Sequence, residues 1–142
     1  KIKNKGWLYL EDIVFLADDL VQKHGTYDPE KLIKFEGISL IKHPMNMSGV
    51  FISSCNKKTI LINTNLTFLE QITTMYHELL HGIKHNTEDC LFMRDRMLFE
   101  NNKIENEANS FAAHMIFSYF NEMDIELEIG DKELLEKLRT YL

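Results

Sequence analysis

Apolar residues recur every three or four positions in the first long segment of the chain, residues 7–24. This spacing predicts an amphipathic N-terminal helix. The stretch HGTYDP interrupts the pattern, and Asp28 followed by Pro29 is typical of the start of a second, short helix. The apolar positions of the first segment are Leu10, Ile13, Val14, Ala17, Leu20 and Val21.

The pattern changes between residues 37 and 63, where Ile, Val, Phe and Ser dominate and turn residues separate short runs. We predict three strands there, over residues 38–42, 49–54 and 58–63, the last two forming a hairpin across SCNKK. A small antiparallel three-stranded sheet of this kind needs helices packed on one face to be stable.

Helical spacing returns after the strands. Thr67 and Glu70 match a capping box and predict a helix start. The expected helices cover residues 67–85, 88–99, 103–120 and 131–141. Helix, strands and then helices indicate an α+β fold, and 142 residues are the size of one domain, 1–142.

Composition narrows the class of protein. The chain is 44% hydrophobic, with a net charge of -6, which is ordinary for a soluble protein and argues against direct nucleic-acid binding. No apolar run is long enough for a membrane helix, and no signal peptide is visible. Cys55 and Cys90 form no CxxC and are expected as reduced thiols in the cytoplasm.

The stretch HELLH, within the predicted helix 67–85, carries the candidate chemistry. His77 and His81 lie one turn apart on a helix, about 40° around its axis. Two imidazoles so placed can bind one zinc ion. Glu78 lies beside them, about 100° from His77, where a carboxylate can accept a proton from the attacking water.

His85 is a tempting third metal ligand. If the helix continues, however, His85 lies about 12 Å along the axis from His77, too far to share one ion. A chain break at a glycine three residues after the second histidine would allow a later histidine to bind, but position 84 is lysine. A supporting position next to the ligands, or the surface, is the better expectation for His85.

A third ligand is therefore expected from the predicted helix 103–120. Glu105 falls on that helix's apolar stripe, where an unpaired carboxylate would be costly and a metal would satisfy it. Glu107 points about 200° away and is expected to be solvated or secondary. Asn109 lies one turn after Glu105 and can hydrogen-bond a ligand histidine. The alternative for Glu105 is a first-turn acid favoured by the helix dipole.

Together, HELLHGIKH and ENEANSFAAHMI resemble the motifs of the ImmA/IrrE metallopeptidase family, and GVFIS with KTILIN resembles its preceding hairpin. The resemblance covers about residues 25–120. It implies a zincin-like metallopeptidase domain with His77, His81 and Glu105 as metal ligands and Glu78 as general base. It also implies a cytoplasmic protein, encoded by a bacterium, phage or mobile element, that cleaves or inactivates a helix-turn-helix repressor.

On this reading the cofactor is one divalent ion, with zinc first and manganese or iron as alternatives. The substrate is expected to pair with the strand 58–63 if that strand forms the sheet edge. Tyr119, near the Glu105 line of its helix, is a candidate stabiliser of the transition state. Three other readings remain open: a non-catalytic module that binds a repressor, a toxin or defence protease with another target, and an HExxH without metal on an ordinary helix.

Overall fold

Helices and strands occupy most of the residues that the computed structural model describes, which are 5–84, 91–96, 103–120 and 126–142. The α+β class predicted from the sequence is confirmed. In chain order the elements are α1 (Lys5–His24), α2 (Pro29–Phe35), β1 (Ile38–His43), β2 (Gly49–Ser54), β3 (Lys57–Asn63), α3 (Phe68–Lys84), β4 (Leu91–Arg96), α4 (Lys103–Phe120) and α5 (Asp131–Arg139).

The helix ends follow the local signals closely. Asp28 caps α2, accepting a hydrogen bond from the Glu30 amide at 2.9 Å, with Pro29 at the first helical position. At the start of α3, the Thr67 amide donates to Glu70 Oε1 at 2.8 Å, and the Glu70 amide donates to Thr67 Oγ1 at 3.2 Å. This reciprocal pair is the predicted capping box.

The sheet differs from the predicted antiparallel three-stranded one. It has four strands in the order β1-β3-β2-β4, and β1 runs parallel to β3. The β2–β3 hairpin joins β1 through β3 rather than through β2, so the sheet is mixed. The strand predicted over 58–63 therefore lies inside the sheet, and the expectation that it forms the edge is wrong.

The helix predicted over residues 88–99 is also wrong, because Leu91–Arg96 forms strand β4. All six residues of β4 pair antiparallel with β2, from Ser54 opposite Leu91 to Gly49 opposite Arg96. Leu, Met and Arg favour a helix locally. Pairing with the otherwise open side of β2 outweighs that preference, as tertiary context often does.

The hairpin between β2 and β3 turns through two residues. Ser54 pairs with Lys57, and Cys55 and Asn56 both have positive φ, 46° and 74°. Two positive φ values are the signature of the tight turn that suits strand twist. Cys55 is disulfide-bonded, so the predicted free thiol is wrong at this position, while Cys90 lies outside the described residues.

The core lies between the sheet and α3, with α4 packed against α1, α3 and α5. α3 is buried from Ile72 to Gly82. A Cβ atom at Gly82 would lie 2.9 Å from Ile38 Cδ1 and 3.0 Å from Phe51 Cε1. The glycine therefore lets the last turn of α3 lie directly on β1 and β2, which fixes the position of the neighbouring His81. None of the helices in the described ranges has the length and apolarity to cross a bilayer.

Candidate metal centre

Two histidines on α3 form one half of the site. His77 and His81 are one turn apart and both fully buried. Their rings meet edge to face, with centroids 4.9 Å apart. Their Nε2 atoms lie 3.3 Å apart, so the helix directs both imidazole nitrogens to one point, as the i, i+4 spacing predicts.

The first turns of α4 supply the other half. Glu105 Oε1 lies 2.8 Å from His77 Nε2 and 3.3 Å from His81 Nε2. The Glu105 side chain is fully buried. The predicted third ligand is thus brought to the two histidines, and within the described residues these three form a buried group able to hold a metal ion.

The spacing of these atoms fits a metal ion. A tetrahedral zinc ion with bonds of about 2.0–2.1 Å holds its ligand atoms about 3.3–3.4 Å apart. The three observed separations are 2.8, 3.3 and 3.3 Å, so a shift of a few tenths of an ångström would admit the ion. Two imidazoles and one carboxylate are also a ligand set that zinc prefers and that leaves one position for water.

The charge state of Glu105 suits the same role. Burial alone would raise the pKa of Glu105, but the His77 and His81 imidazoles beside its carboxylate hold that pKa well below its ordinary value. The carboxylate therefore stays ionised at neutral pH. An ionised oxygen ligand is the form that binds a divalent cation.

Asn109 orients one of the histidines. Its Oδ1 lies 2.8 Å from His77 Nδ1, and both residues are buried. Since an amide oxygen only accepts hydrogen bonds, His77 carries its proton on Nδ1. The lone pair of His77 is then on Nε2, the nitrogen that faces His81 and Glu105.

Comparisons with known proteins identify the family of the chain. The peptidase M78 family model, described as the IrrE N-terminal-like domain, matches residues 36–142. The chain belongs to the peptidase M78 family. The chain is also 34% identical over 119 residues, 81% of its length, to "Uncharacterized immunity region protein 2" of Bacillus phage phi105, of which it covers 73%. No solved structure matches the chain.

Glu78 follows His77 on α3 of this M78 chain and is fully buried. A carboxylate in the interior of a helix is costly unless something in its surroundings compensates for lost hydration. Its place on α3, about 100° around the axis from His77, puts it beside the metal ligands rather than among them. The proton-transfer role that the sequence indicates for Glu78 stays a prediction.

Glu107 is buried in this M78 chain, whereas the sequence predicted a solvated side chain. It is only 5% exposed, and its Oε2 lies 3.4 Å from Lys84 Nζ. Burial raises the pKa of Glu107. The prediction of a solvated residue was wrong because α4 is covered by three helices, so the face opposite Glu105 is not a solvent face. The Lys84 contact links the end of α3 to the start of α4.

Two further candidates do not join the site. Tyr119 lies fourteen residues after Glu105 on α4, about 21 Å along the helix axis, and its ring stacks on Tyr27 at 6.2 Å. That distance excludes Tyr119 as a stabiliser of the transition state. Tyr76 is a core residue, as expected, and donates a hydrogen bond to the Tyr27 carbonyl. His85 lies outside the described residues.

Replacing Asn109 with alanine is expected to weaken zinc binding by about 10- to 100-fold, because His77 loses the acceptor that fixes its tautomer and ring orientation. Competition with a fluorescent zinc chelator measures the dissociation constant. Asn109→Asp keeps an acceptor oxygen and is expected to stay closer to wild type. Equal zinc affinity in the alanine and wild-type chains would exclude an orienting role for Asn109.

Proposed function

We propose that this M78 chain is a zinc-dependent endopeptidase that cleaves a helix-turn-helix transcriptional repressor. The observation that carries the proposal is the convergence of His77 Nε2, His81 Nε2 and Glu105 Oε1 within 3.3 Å of one another, in a fully buried site. Such a ligand set, next to a buried glutamate, is that of a hydrolytic metal site rather than a structural one.

The three ligands would hold one divalent ion, for which zinc is the first choice and manganese or iron the alternatives. When bound, the ion supplies electrophilic activation of the scissile carbonyl and of water. The chain's own residues keep the ion's ligands oriented. Asn109 holds His77 in the tautomer that exposes Nε2, and α4 carries Glu105 to the two histidines.

Glu78 acts as the general base in this proposal. Its carboxylate accepts a proton from the water that attacks the peptide carbonyl. It then delivers that proton to the amine of the leaving fragment, so that the carboxylate is restored at the end of the reaction.

Strand β4 offers a place for an extended substrate. In the described sheet β4 lies at one edge and pairs only with β2. It also lies in sequence between α3 and α4, the two helices that carry the metal ligands. A peptide added to the open side of β4 would gain main-chain hydrogen bonds, which suits an enzyme that acts on an extended segment of a protein.

The repressor as substrate rests on two supports. The ImmA/IrrE resemblance implies helix-turn-helix repressors as targets, and the phage phi105 relative carries the name of an immunity region protein. The test is to incubate the zinc-loaded chain with the helix-turn-helix repressor encoded beside its own gene, and to identify fragments by mass spectrometry. We expect two discrete fragments, lost on adding 1,10-phenanthroline; an intact repressor at equimolar enzyme would contradict the proposal.

A further inference from the structure

One exposed face of α1 lies against the end of α3. Asp12, Phe15, Leu16 and Asp19, at positions i, i+3, i+4 and i+7, share this face. With Ile83 and Lys84 of α3 they line a groove of about 410 Å³, which we call the α1–α3 groove. The volume falls within the ~300–1,000 Å³ of pockets that hold ligands.

The floor of the α1–α3 groove is apolar. Phe15 is 73% exposed, and Leu16 and Ile83 are half-buried. Single exposed apolar residues are common on protein surfaces, but three that line one concavity form a contact surface. Leu16 and Ile83 also pack against the edge of the core, so Phe15 is the side chain of the three that projects mainly into the groove and solvent.

The rim of the groove is acidic. Asp12 and Asp19 are two turns apart, about 10.5 Å along the helix axis, and both are exposed. Neither makes a hydrogen bond or ion pair with another residue in the described part of the chain. Lys84, the cation among the lining residues that the structure describes, lies 3.4 Å from the buried Glu107. Among the described residues, the α1 wall of the groove therefore carries a carboxylate at each end of its apolar part, Asp12 before Phe15 and Leu16 and Asp19 after them.

The groove is close to the candidate metal centre. Ile83 and Lys84 follow His81 on the same helix by two and three residues, which is at most about 4.5 Å along the axis. Ile83 is also about 200° around the axis from the buried His81, so the groove and the candidate metal centre lie on different faces of the same end of α3.

We propose that the α1–α3 groove binds a segment of the substrate in which apolar side chains are flanked by arginine or lysine. The apolar side chains would contact Phe15, Leu16 and Ile83, and the basic ones would pair with Asp12 and Asp19. The inference rests on the proposed function for the identity of the substrate. It agrees with that function because DNA-binding proteins such as repressors carry basic surfaces.

The test measures binding without cleavage, using the zinc-loaded Glu78→Gln chain and fluorescence anisotropy. The probe is a fluorescein-labelled peptide with two leucines between two arginines, and its partner probe has glutamates in place of the arginines. We expect the arginine peptide to bind at least about fivefold more tightly. Asp12→Asn and Asp19→Asn should each weaken it about two- to fivefold, and Phe15→Ser about tenfold.

Asp18→Asn is the matched control. It removes the same charge from the same helix, but Asp18 faces His114 at a distance of 3.0 Å rather than the groove. Three results would each overturn the proposal. The first is an equal loss of peptide affinity in Asp18→Asn, and the second is equal affinity for the two peptides. The third is a dimer of the chain that Phe15→Ser dissociates. If the wild-type chain cleaves no repressor while the binding pattern holds, the proposed function fails and the groove assignment stands.

Discussion

The Glu78→Gln variant is expected to bind zinc like the wild-type chain and to cleave the repressor about 10²- to 10⁴-fold more slowly, the usual contribution of a general base. Glutamine has nearly the shape of glutamate but cannot accept a proton from the attacking water. Since Glu78 lies beside His77 rather than among the three converging ligand atoms, the ion should remain. Fragment formation against time, together with zinc content, measures both effects.

The control for this variant is Glu133→Gln, which makes the same change at an exposed position on α5 and should cleave at the wild-type rate. Undiminished cleavage by Glu78→Gln with zinc bound would remove Glu78 as the base. Expression of a reporter gene under the control of the repressor distinguishes the endopeptidase from a non-catalytic binding module. If Glu78→Gln still relieves repression without producing fragments, the chain acts by binding and the endopeptidase proposal is wrong.

The parts of the structure that the sequence predicts are those governed by neighbours in the chain. The capping box at Thr67 and the i, i+4 spacing of the two histidines depend on helix geometry alone, and both are found as expected. Glu105 required one further step, because its burial follows from the apolar stripe of its own helix. The prediction that Glu105 is buried is correct because α4 is one regular helix, and Ala112 and Ile116, on the same face as Glu105, are both buried.

The predictions from the sequence are wrong where contacts between distant parts of the chain determine the local structure. Leu91–Arg96 has residues that favour a helix, yet β2 offers it a complete backbone partner and it becomes a strand. Glu107 lies on the face of α4 opposite its apolar stripe, which would be solvent-exposed in a helix packed on one side. Here α1, α3 and α5 pack around α4, so that face is buried as well. Tyr119 lies near the same angle around the α4 axis as Glu105, but the angle does not show how far apart the two residues are along that axis. None of these contacts leaves a local signal.

The His81→Ala variant is expected to lose nearly all of the metal that the wild-type chain retains through purification without chelators. The wild-type chain should contain about one equivalent of zinc by elemental analysis. Removing one of three protein ligands leaves two, and the site is built so that all three donor atoms meet within 3.3 Å. His43→Ala, at an exposed position on β1, removes a histidine away from the three ligands and should keep its zinc.

Thermal unfolding gives a second readout that does not depend on any substrate. A ligand that binds only the folded chain at 100 times its dissociation constant stabilises it by about 2.7 kcal/mol. For a chain of this length, that corresponds to a rise of roughly 5–10 °C in melting temperature. Wild-type and His43→Ala chains should show this rise on adding zinc, and a folded His81→Ala chain should not. Equal metal content and an equal rise in all three would mean that the ion binds elsewhere, and the centre formed by α3 and α4 would then have no role in holding it.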